Sequence, residues 1–296
     1  MQNKYDSRMR NLLYVAAVLS ALFTLPAQAE RDPWSGAPIK PDKNRKSESP
    51  ITDRFAVRGT FFNPAISTTL RIDAQSPGGG LPGRTGTILS GERDLGFDSR
   101  IPQGQVEILF RLRERNRLRV NYFETNRRAD HVIGRPILFG DEVFTSQDRV
   151  TSSIDWRQFD LTYTYSFVRT DRLELGVGLG VHLLEAEARG AVDAKQLRQE
   201  VSGAGAFATI PVDFTWRISR RFSFVARGQY FRAKVHKFEG SLGEYHGDFQ
   251  YRWKPNFTVG VGYTTLRAFL DIDDSHFPGA FRLNVRGPEA FFKVSL

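Results

Sequence analysis

The sequence Leu173-Glu-Leu-Gly-Val-Gly-Leu-Gly-Val-His-Leu183 places an apolar side chain at every odd position and Glu, Gly or His at every even position. Successive side chains of a β-strand point to opposite faces of the sheet, so this alternation predicts a strand with one apolar face. The pattern recurs at residues 106–112, 159–167, 210–216 and 245–253. After residue 29, no segment has the period of an amphipathic helix. We therefore predict an all-β fold.

Strand length and turn spacing indicate a membrane barrel. Residues 148–168 and 172–186 exceed the five or six residues usual in soluble sheets and would span a bilayer, which takes about 9–11. Short turns alternate with long polar connections, as in outer-membrane barrels. The short turns are residues 113–116, 169–171, 219–221 and 254–256; the long connections are 129–147, 187–204, 235–242 and 271–279. Aromatic residues beside the short turns predict an interfacial girdle of Phe167, Trp216, Phe222, Tyr251, Trp253 and Phe257.

We therefore predict a transmembrane antiparallel β-barrel over residues 53–296, with about twelve strands and ten as the alternative, since bacterial barrels have even strand numbers. The segment 54–73 is either one long strand or two strands broken at Asn63-Pro64. In the last strand the apolar phase changes from odd to even near Gly287-Pro288, which predicts a β-bulge there. A soluble periplasmic β-sandwich that binds a ligand is a further alternative, because it also has one apolar face per strand.

The N-terminus has the pattern of a secretory signal peptide over residues 1–29. A basic start precedes an apolar stretch at residues 12–25, and Ala27-Gln-Ala29 is a small-residue cleavage site. Cleavage near Ala29 would leave a polar, basic segment, residues 30–52, which we predict to be a flexible periplasmic tail. The expected location is the outer membrane of a Gram-negative cell.

The chain resembles Gram-negative outer-membrane β-barrel proteins in its signal peptide, its amphipathic strands and its last strand, Glu289-Ala-Phe-Phe-Lys-Val-Ser-Leu296. The resemblance implies that residues 289–296 are recognised by the barrel assembly machinery, although such strands usually end in an aromatic residue. Shorter motifs resemble a proteobacterial barrel family without an assigned activity, so they imply a fold and a location but no chemistry. These motifs are residues 69–73, 86–87, 92–96, 117–123 and 139–141.

Charged and polar residues on the other phase of the strands are predicted to line the barrel lumen. They are Arg58, Glu107, Arg111, Arg119, Asp160, Glu174, His182, Asp213, Arg227, His246, Asp248, Arg252, Arg282 and Arg286. Such groups either pair and fill the lumen or leave an Arg-rich path that favours anions. The leading expectation is a structural or small-solute, porin-like barrel with no covalent chemistry. Gly176, Gly178 and Gly180 should face inward and make room for neighbouring groups.

An enzyme is the second hypothesis. Asp271, Asp273, Asp274 and His276 crowd one long loop, where a carboxylate could orient an imidazole that activates water. This arrangement would suit a rim hydrolase that cleaves peptide or lipid. A solvated acidic loop that binds divalent ions is the simpler interpretation, so we assign no catalytic residue from the sequence.

Composition excludes several other classes. The 296 residues include 42 Lys and Arg, 33 Asp and Glu and no Cys, so disulfide scaffolds, thiolate zinc sites and Cys nucleophiles are excluded. The five His lack metal-site spacing, and we predict no metal and no cofactor. Basic residues are spread among the strands, which argues against nucleic-acid binding. Loop residues are predicted to contact outer-membrane lipid and lipopolysaccharide phosphates: Arg127, Arg128, Arg135, Lys195 and Arg198. The sequence leaves the oligomeric state open.

Overall fold

A computed structural model describes residues 49–73, 86–139, 142–192, 197–235, 238–272 and 279–296. The predicted signal peptide and most of the predicted tail lie outside these residues. The strands are β1 (Phe55–Phe62), β2 (Ala65–Ile72), β3 (Leu89–Ser90), β4 (Gln103–Arg113), β5 (Asn116–Val132), β6 (Ile137–Phe139), β7 (Glu142–Phe144), β8 (Arg149–Arg169), β9 (Leu173–Val192), β10 (Leu197–Arg217), β11 (Phe222–Val235), β12 (Phe238–Lys254), β13 (Phe257–Ile272) and β14 (Gly279–Ser295). One helical turn, α1, covers Gly91–Asp94, and no described helix is long and apolar enough to cross a membrane.

Ten strands form a closed antiparallel ring in the order β1-β4-β5-β8-β9-β10-β11-β12-β13-β14, and β14 pairs back with β1. The predicted β-barrel is confirmed, with ten strands in the ring and β2 and β3 outside it. β2 continues β1 along β14 in the same register after an interruption at Asn63-Pro64, since Phe62 pairs with Glu289 and Ala65 with Arg286.

The short turns predicted from the sequence join β4 to β5, β8 to β9, β10 to β11 and β12 to β13 at one rim. Most of the predicted long connection 187–204 is a continuation of strands, because β9 extends to Val192 and β10 begins at Leu197. The loop was predicted because residues 187–204 no longer alternate apolar and polar side chains. The backbone hydrogen bonds between β9 and β10 nevertheless continue through this region, so the end of the alternation is not the end of the strands.

The strands reverse their polarity part-way along their length, as β8 shows. Towards the short turns, Asp160, Thr162 and Thr164 face the interior while Phe159 and Tyr165 are exposed outside. Towards the other rim the faces exchange roles: Val150, Ile154 and Trp156 are buried inside, and Arg149 and Arg157 are exposed outside. We call the two parts the short-turn half and the long-loop half; they meet near the level of Gln158.

Polarity reversal also explains why the predicted bulge in β14 is wrong. β14 pairs with β13 without a register shift from Phe257↔Val294 to Ile272↔Gly279. Its interior residues are polar near the short turns, as at Glu289, and apolar further on, as at Leu283 and Val285. A change of apolar phase therefore reflects a change of surroundings along the strand rather than an inserted residue.

The long-loop half is filled by two apolar clusters. One consists of Leu70, Leu89, Leu95, Phe97, Ile133, Ile137, Phe144, Val150, Ile154 and Val192, and brings together β2, β3, β6 and β7 with β8 and β9. The other consists of Phe62, Ile66, Phe123, Trp156, Leu184, Leu242, Leu266, Ala268, Leu283 and Val285. Burial of apolar side chains stabilises folding by about 1.5–3 kcal/mol each, so this half contains a core like that of a soluble protein.

A loop segment completes the wall where β4 is absent. β4 begins only at Gln103, and residues 86–100 lie beside β2 in its place. Arg127, which is 2% exposed, donates to Thr68 Oγ1 at 2.7 Å, to Glu92 Oε1 at 2.9 Å and to the carbonyl of Asp98 at 2.6 Å. Thr68 N also donates to Glu92. These four residues, the Arg127 cluster, attach the segment to the barrel.

At α1, burial raises the pKa of Asp94, but the hydrogen bond from Ser90 N and the guanidinium groups of Arg93 and Arg135 outweigh that effect. The pKa of Asp94 therefore lies below its ordinary value. Ser90 N donates to Asp94 Oδ2 at 2.8 Å, and Ser90 Oγ accepts from Arg93 N, so the two side chains cap the turn.

Candidate functional site: the charged lumen

Ion pairs connect distant strands across the lumen of the short-turn half. Arg58 on β1 lies with Nη1 2.8 Å from Asp248 Oδ2 on β12, and with Nη2 2.5 Å from Glu289 Oε1 on β14. All three side chains are at most 5% exposed. Arg227 on β11 pairs with Glu107 on β4. These contacts fill the centre of the barrel with charged side chains.

A second group of ion pairs links β4 and β5 to β9 and β10. Arg111 Nη1 lies 2.7 Å from Glu174 Oε1, and Arg119 Nη2 lies 2.9 Å from Asp213 Oδ1. Arg117 joins the two pairs, at 3.5 Å from Glu174 and 3.0 Å from Asp213. Because each carboxylate has at least one guanidinium partner, the cost of burying these charges is largely offset.

The short-turn end of the lumen is plugged by residues 49–53. Both Asp53 carboxylate oxygens accept hydrogen bonds from Arg252 Nη2 at 2.9 Å, and Asp53 Oδ2 lies 3.2 Å from Lys293 Nζ. Ile51 is 2% exposed. The last four residues of the predicted flexible tail thus pack into the barrel; the rest of that tail lies outside the described residues.

The structure places twelve of the fourteen sequence-assigned residues in the lumen and corrects the other two. Arg282 and Arg286 lie on the exposed outer face of β14, and Leu283 and Val285 take the interior positions. The assignment failed because it assumed a polar interior along the whole strand, whereas these residues belong to the long-loop half, where the interior is apolar.

Five further charged residues line the lumen that the sequence-based set lacks: Asp53, Arg117, Glu244, Glu289 and Lys293. Arg117 shares the odd phase of Arg119 and could have been found from it. Glu244 immediately precedes the segment assigned to a strand. Glu289 and Lys293 alternate with the apolar residues Phe292 and Val294 at the end of the last strand, so that alternation could have identified them.

Two histidines stand beside carboxylates in the lumen. His246 Nε2 lies 2.5 Å from Asp248 Oδ2, and His246 Nδ1 lies 2.7 Å from Thr264 Oγ1 and 3.3 Å from Glu289 Oε1. Arg58 contacts both of these carboxylates. We call His246, Asp248 and Glu289 the closed cluster.

The other group, the open cluster, consists of Asp160, His182 and Glu244. His182 Nδ1 lies 2.5 Å from Asp160 Oδ1, and one ligand atom from each of the three residues lies within 4.8 Å of the others. Asp160 and His182 face each other in register on β8 and β9, and Glu244 belongs to β12. A nitrogen and two carboxylate oxygens are ligands that transition metals accept.

The glycines of β9 provide room inside the lumen. A Cβ on Gly176 would lie 3.0 Å from Arg117 Nη2, and one on Gly180 would lie 2.5 Å from Thr209 Oγ1. A Cβ on Gly178 would meet the Tyr163 carbonyl at 1.8 Å. Larger residues at these positions would displace the Arg117 ion pairs or the neighbouring strand.

The predicted rim hydrolase gains no support from the described residues. Asp271 lies on the outer face of β13, with Oδ1 3.8 Å from Arg71 Nη2. Asp273, Asp274 and His276 lie outside the described residues. The hydrolase therefore remains a sequence-based hypothesis.

The exterior of the short-turn half is a continuous apolar belt. Its exposed side chains include Val106, Phe110, Tyr122, Phe159, Tyr165, Val177, Leu179, Ile210, Val212, Tyr230, Tyr245, Phe249, Val259, Val261, Tyr263 and Phe292. Phe167, Trp216, Phe222, Trp253 and Phe257 are exposed beside the short turns, where the sequence predicted an aromatic girdle. A closed ring leaves no strand edge in lipid, and an apolar band bounded by aromatics matches a bilayer. The chain is a transmembrane antiparallel β-barrel.

Comparisons with known proteins give matches among solved structures alone. No family model and no curated protein matches the chain. Among solved structures, the outer membrane protease OmpT from Escherichia coli is 13% identical, with 82% of this chain and 97% of that chain covered and a TM-score of 0.47. Ail from Yersinia pestis is 7% identical, with 80% and 99% covered and a TM-score of 0.35. A FadL homologue from Pseudomonas aeruginosa is 7% identical, with 84% and 91% covered and a TM-score of 0.37. The identification rests on the architecture of the barrel itself.

Proposed function

We propose that the protein is a closed structural barrel that conducts no solute and is anchored in the outer membrane by lipopolysaccharide. The observation that carries this proposal is the filling of both halves of the interior. Ion pairs and residues 49–53 occupy the short-turn half, and apolar clusters occupy the long-loop half. A solute path would need a continuous polar channel, and the apolar clusters interrupt it.

Conductance recording tests the closed barrel. The purified full chain, inserted into a planar lipid bilayer, should give no stepwise current at applied voltages at which a porin control gives steps. Reproducible steps of constant size would contradict the proposal and support the small-solute alternative.

Lipopolysaccharide is the proposed ligand of the outer wall because a basic collar lies at the depth of its phosphates. The collar consists of Arg232, Arg267, Arg282 and Arg286, all exposed on the neighbouring strands β11, β13 and β14. Closer to the short turns, β11, β12 and β13 carry three tyrosines on the outside, Tyr230, Tyr245 and Tyr263, each 50–52% exposed. Tyrosines mark the membrane interface, so the collar lies beside the lipid phosphates.

The collar differs from the lipopolysaccharide contacts that the sequence predicted. Arg127 is buried in its cluster, and Arg135 Nη2 lies 3.2 Å from Asp94 Oδ2. Arg128 is exposed on the opposite wall. The side chains of Lys195 and Arg198 lie outside the described part of the chain.

Thermal stability with added lipopolysaccharide tests the collar. The wild-type barrel in detergent should be stabilised by lipopolysaccharide and much less by its dephosphorylated form, because binding to the folded state raises stability. The triple variant Arg267→Gln, Arg282→Gln, Arg286→Gln should lose that stabilisation. The charge-matched variant Arg128→Gln, Arg149→Gln, Arg157→Gln, on the other wall, should keep it. Equal stabilisation of both variants would contradict this assignment.

Export is inferred to use the N-terminal segment and the last strand. Cleavage near Ala29 predicts that the chain isolated from outer membranes begins at Glu30, which N-terminal sequencing checks; another first residue would contradict the cleavage site. The barrel assembly machinery is expected to read residues 289–296. Leu296→Phe, which restores the usual aromatic end, should then maintain or raise the assembled yield, and a clear loss would argue against this role.

A further inference from the structure

We propose that the open cluster, Asp160, His182 and Glu244, is a binding site for one divalent transition-metal ion, with Zn²⁺ as the favoured ion. The inference is independent of whether the barrel conducts solutes or binds lipopolysaccharide. It rests on the burial of Asp160 and His182 beside Glu244, on the charge of the three side chains, and on a buried imidazole nitrogen that lacks a partner.

Burial isolates the open cluster from bulk water. His182 is 0% exposed and Asp160 is 2% exposed, while Glu244 is half-buried and lines the lumen cavity. Just beyond them, towards the long-loop half, the interior becomes apolar at Trp156, Leu184 and Leu242. The cluster therefore lies at the boundary between the two halves. On its long-loop side the neighbours are apolar and offer no charge or hydrogen bond to a buried charged group.

Charge compensation separates the open cluster from the closed one. Both contain a histidine and two carboxylates, but Arg58 contacts both carboxylates of the closed cluster. In the described part of the chain, no Lys or Arg lies within 4.0 Å of a carboxylate oxygen of Asp160 or Glu244. Their hydrogen-bond donors are amides: Asn121 and Gln158 for Asp160, both at 2.9 Å, and Gln229 for Glu244, at 2.8 Å. The buried carboxylate of Asp160 and the half-buried carboxylate of Glu244 share one imidazole, and a divalent ion would supply the missing positive charge.

One atom of the open cluster lacks a partner. Within the described residues, His182 Nε2 is buried and has no hydrogen-bond partner, whereas Asp160 Oδ1 lies 2.5 Å from His182 Nδ1. Buried polar atoms in proteins nearly always have a partner, so this orphaned nitrogen indicates a missing ligand. The closed cluster has no such orphaned atom among the described residues.

Ligand chemistry favours zinc. Imidazole nitrogen together with carboxylate oxygen suits Zn²⁺ better than Ca²⁺ or Mg²⁺, which prefer oxygen ligands alone. Three protein ligands leave one position for a water from the cavity. Because the ion would join β8 and β9 to β12 across the lumen, its role would be structural.

Metal binding by the intact chain tests the site. The barrel is purified from outer membranes in detergent, treated with EDTA and dialysed against Zn²⁺, and Co²⁺ serves as the spectroscopic probe. The wild type should bind one Zn²⁺ per chain that survives dialysis and should give Co²⁺ ligand-field bands in the visible. His182→Ala should lose both signals, and Glu244→Gln, which keeps the shape of the side chain, should bind at least about tenfold more weakly.

His246→Gln, in the closed cluster, is the matched control and should retain the ion. Heat-dependent gel mobility checks that each variant still forms a closed barrel. If His182→Ala does not, metal binding by Glu244→Gln is the test of the site.

Absence of a stoichiometric ion in the wild type would overturn the proposal. So would unchanged binding in the decisive variant, or loss of the ion in His246→Gln.

Discussion

The interiors of the two halves of this barrel are filled by opposite kinds of side chain, charged in one half and apolar in the other. In the short-turn half the surroundings are lipid, the exterior is apolar, and the interior holds paired charges. In the long-loop half the exterior carries exposed arginines such as Arg149, Arg157 and Arg282, and the interior holds apolar clusters. The same strands run through both halves, so the fold does not determine which face is apolar.

The medium outside each half explains the difference. Apolar side chains gain nothing by leaving lipid for the lumen, so the short-turn half has no hydrophobic driving force to fill its interior and relies on ion pairs and hydrogen bonds. Beyond the bilayer, water surrounds the wall, and burial of apolar side chains inside becomes favourable again. The long-loop half therefore behaves like a soluble β-barrel built on a membrane one.

Removal of Arg58 should have the largest effect in the short-turn half. Arg58→Met leaves Asp248 and Glu289 buried without their guanidinium partner, and loss of one partner of a buried ion pair costs about 3–5 kcal/mol. Urea unfolding of the barrel in lipid vesicles, followed by tryptophan fluorescence, measures this loss.

The control for Arg58 is Arg282→Met on the outer face of β14, which should change stability by less than about 0.5 kcal/mol in vesicles without lipopolysaccharide. The sequence assigned both arginines to the lumen, so equal losses would favour that assignment over the structure.

Truncation of Leu283 tests the apolar core of the long-loop half. Leu283 is 3% exposed, and Leu283→Ala should destabilise by about 2–4 kcal/mol because it removes buried surface and leaves a cavity. Its neighbour Asn284 faces outward and is only half-buried, so Asn284→Ala should cost less than about 0.5 kcal/mol. The same urea titration compares the two; a larger effect at Asn284 would mean that β14 has the register shift that the sequence predicted.

Disruption of the Arg127 cluster should affect the long-loop half alone. Arg127→Gln leaves Glu92 without its guanidinium partner and removes hydrogen bonds to Thr68 and Asp98, at a cost of about 1–3 kcal/mol. Limited proteolysis should then cut within residues 86–100 while the gel mobility of the barrel stays compact. Global unfolding of Arg127→Gln would show instead that the two halves form one cooperative unit.

Sequence reasoning succeeded where the surroundings were uniform and failed where they changed. In the short-turn half, alternation located the strands, the turns and most lumen residues, because lipid outside and charge inside give a strict period of two. The same rule assigned Arg282 and Arg286 to the lumen, since nothing in the local sequence marks where the bilayer ends. The open cluster could not be predicted from the sequence. Glu244 and His182 lie on strands that are brought together only when the ring closes, so their spacing along the chain does not indicate the contact.

The smallest expected effect concerns pH and Asp94 in α1, which lies in the long-loop half. Its pKa lies below the ordinary value of 3.8, so the ionised carboxylate stabilises the fold above that value, and the contribution is lost as the pH falls through the lowered pKa. Asp94→Asn should therefore loosen residues 86–100 near neutral pH, by less than about 1 kcal/mol, and make little difference once the pH is below the lowered pKa of Asp94. Hydrogen exchange of backbone amides in α1 measures this difference at the two pH values. Backbone amides of the strands in the short-turn half should keep the same protection in the wild type and in Asp94→Asn. A difference that persists at low pH would mean that Asp94 acts through its shape and hydrogen bonds rather than its charge.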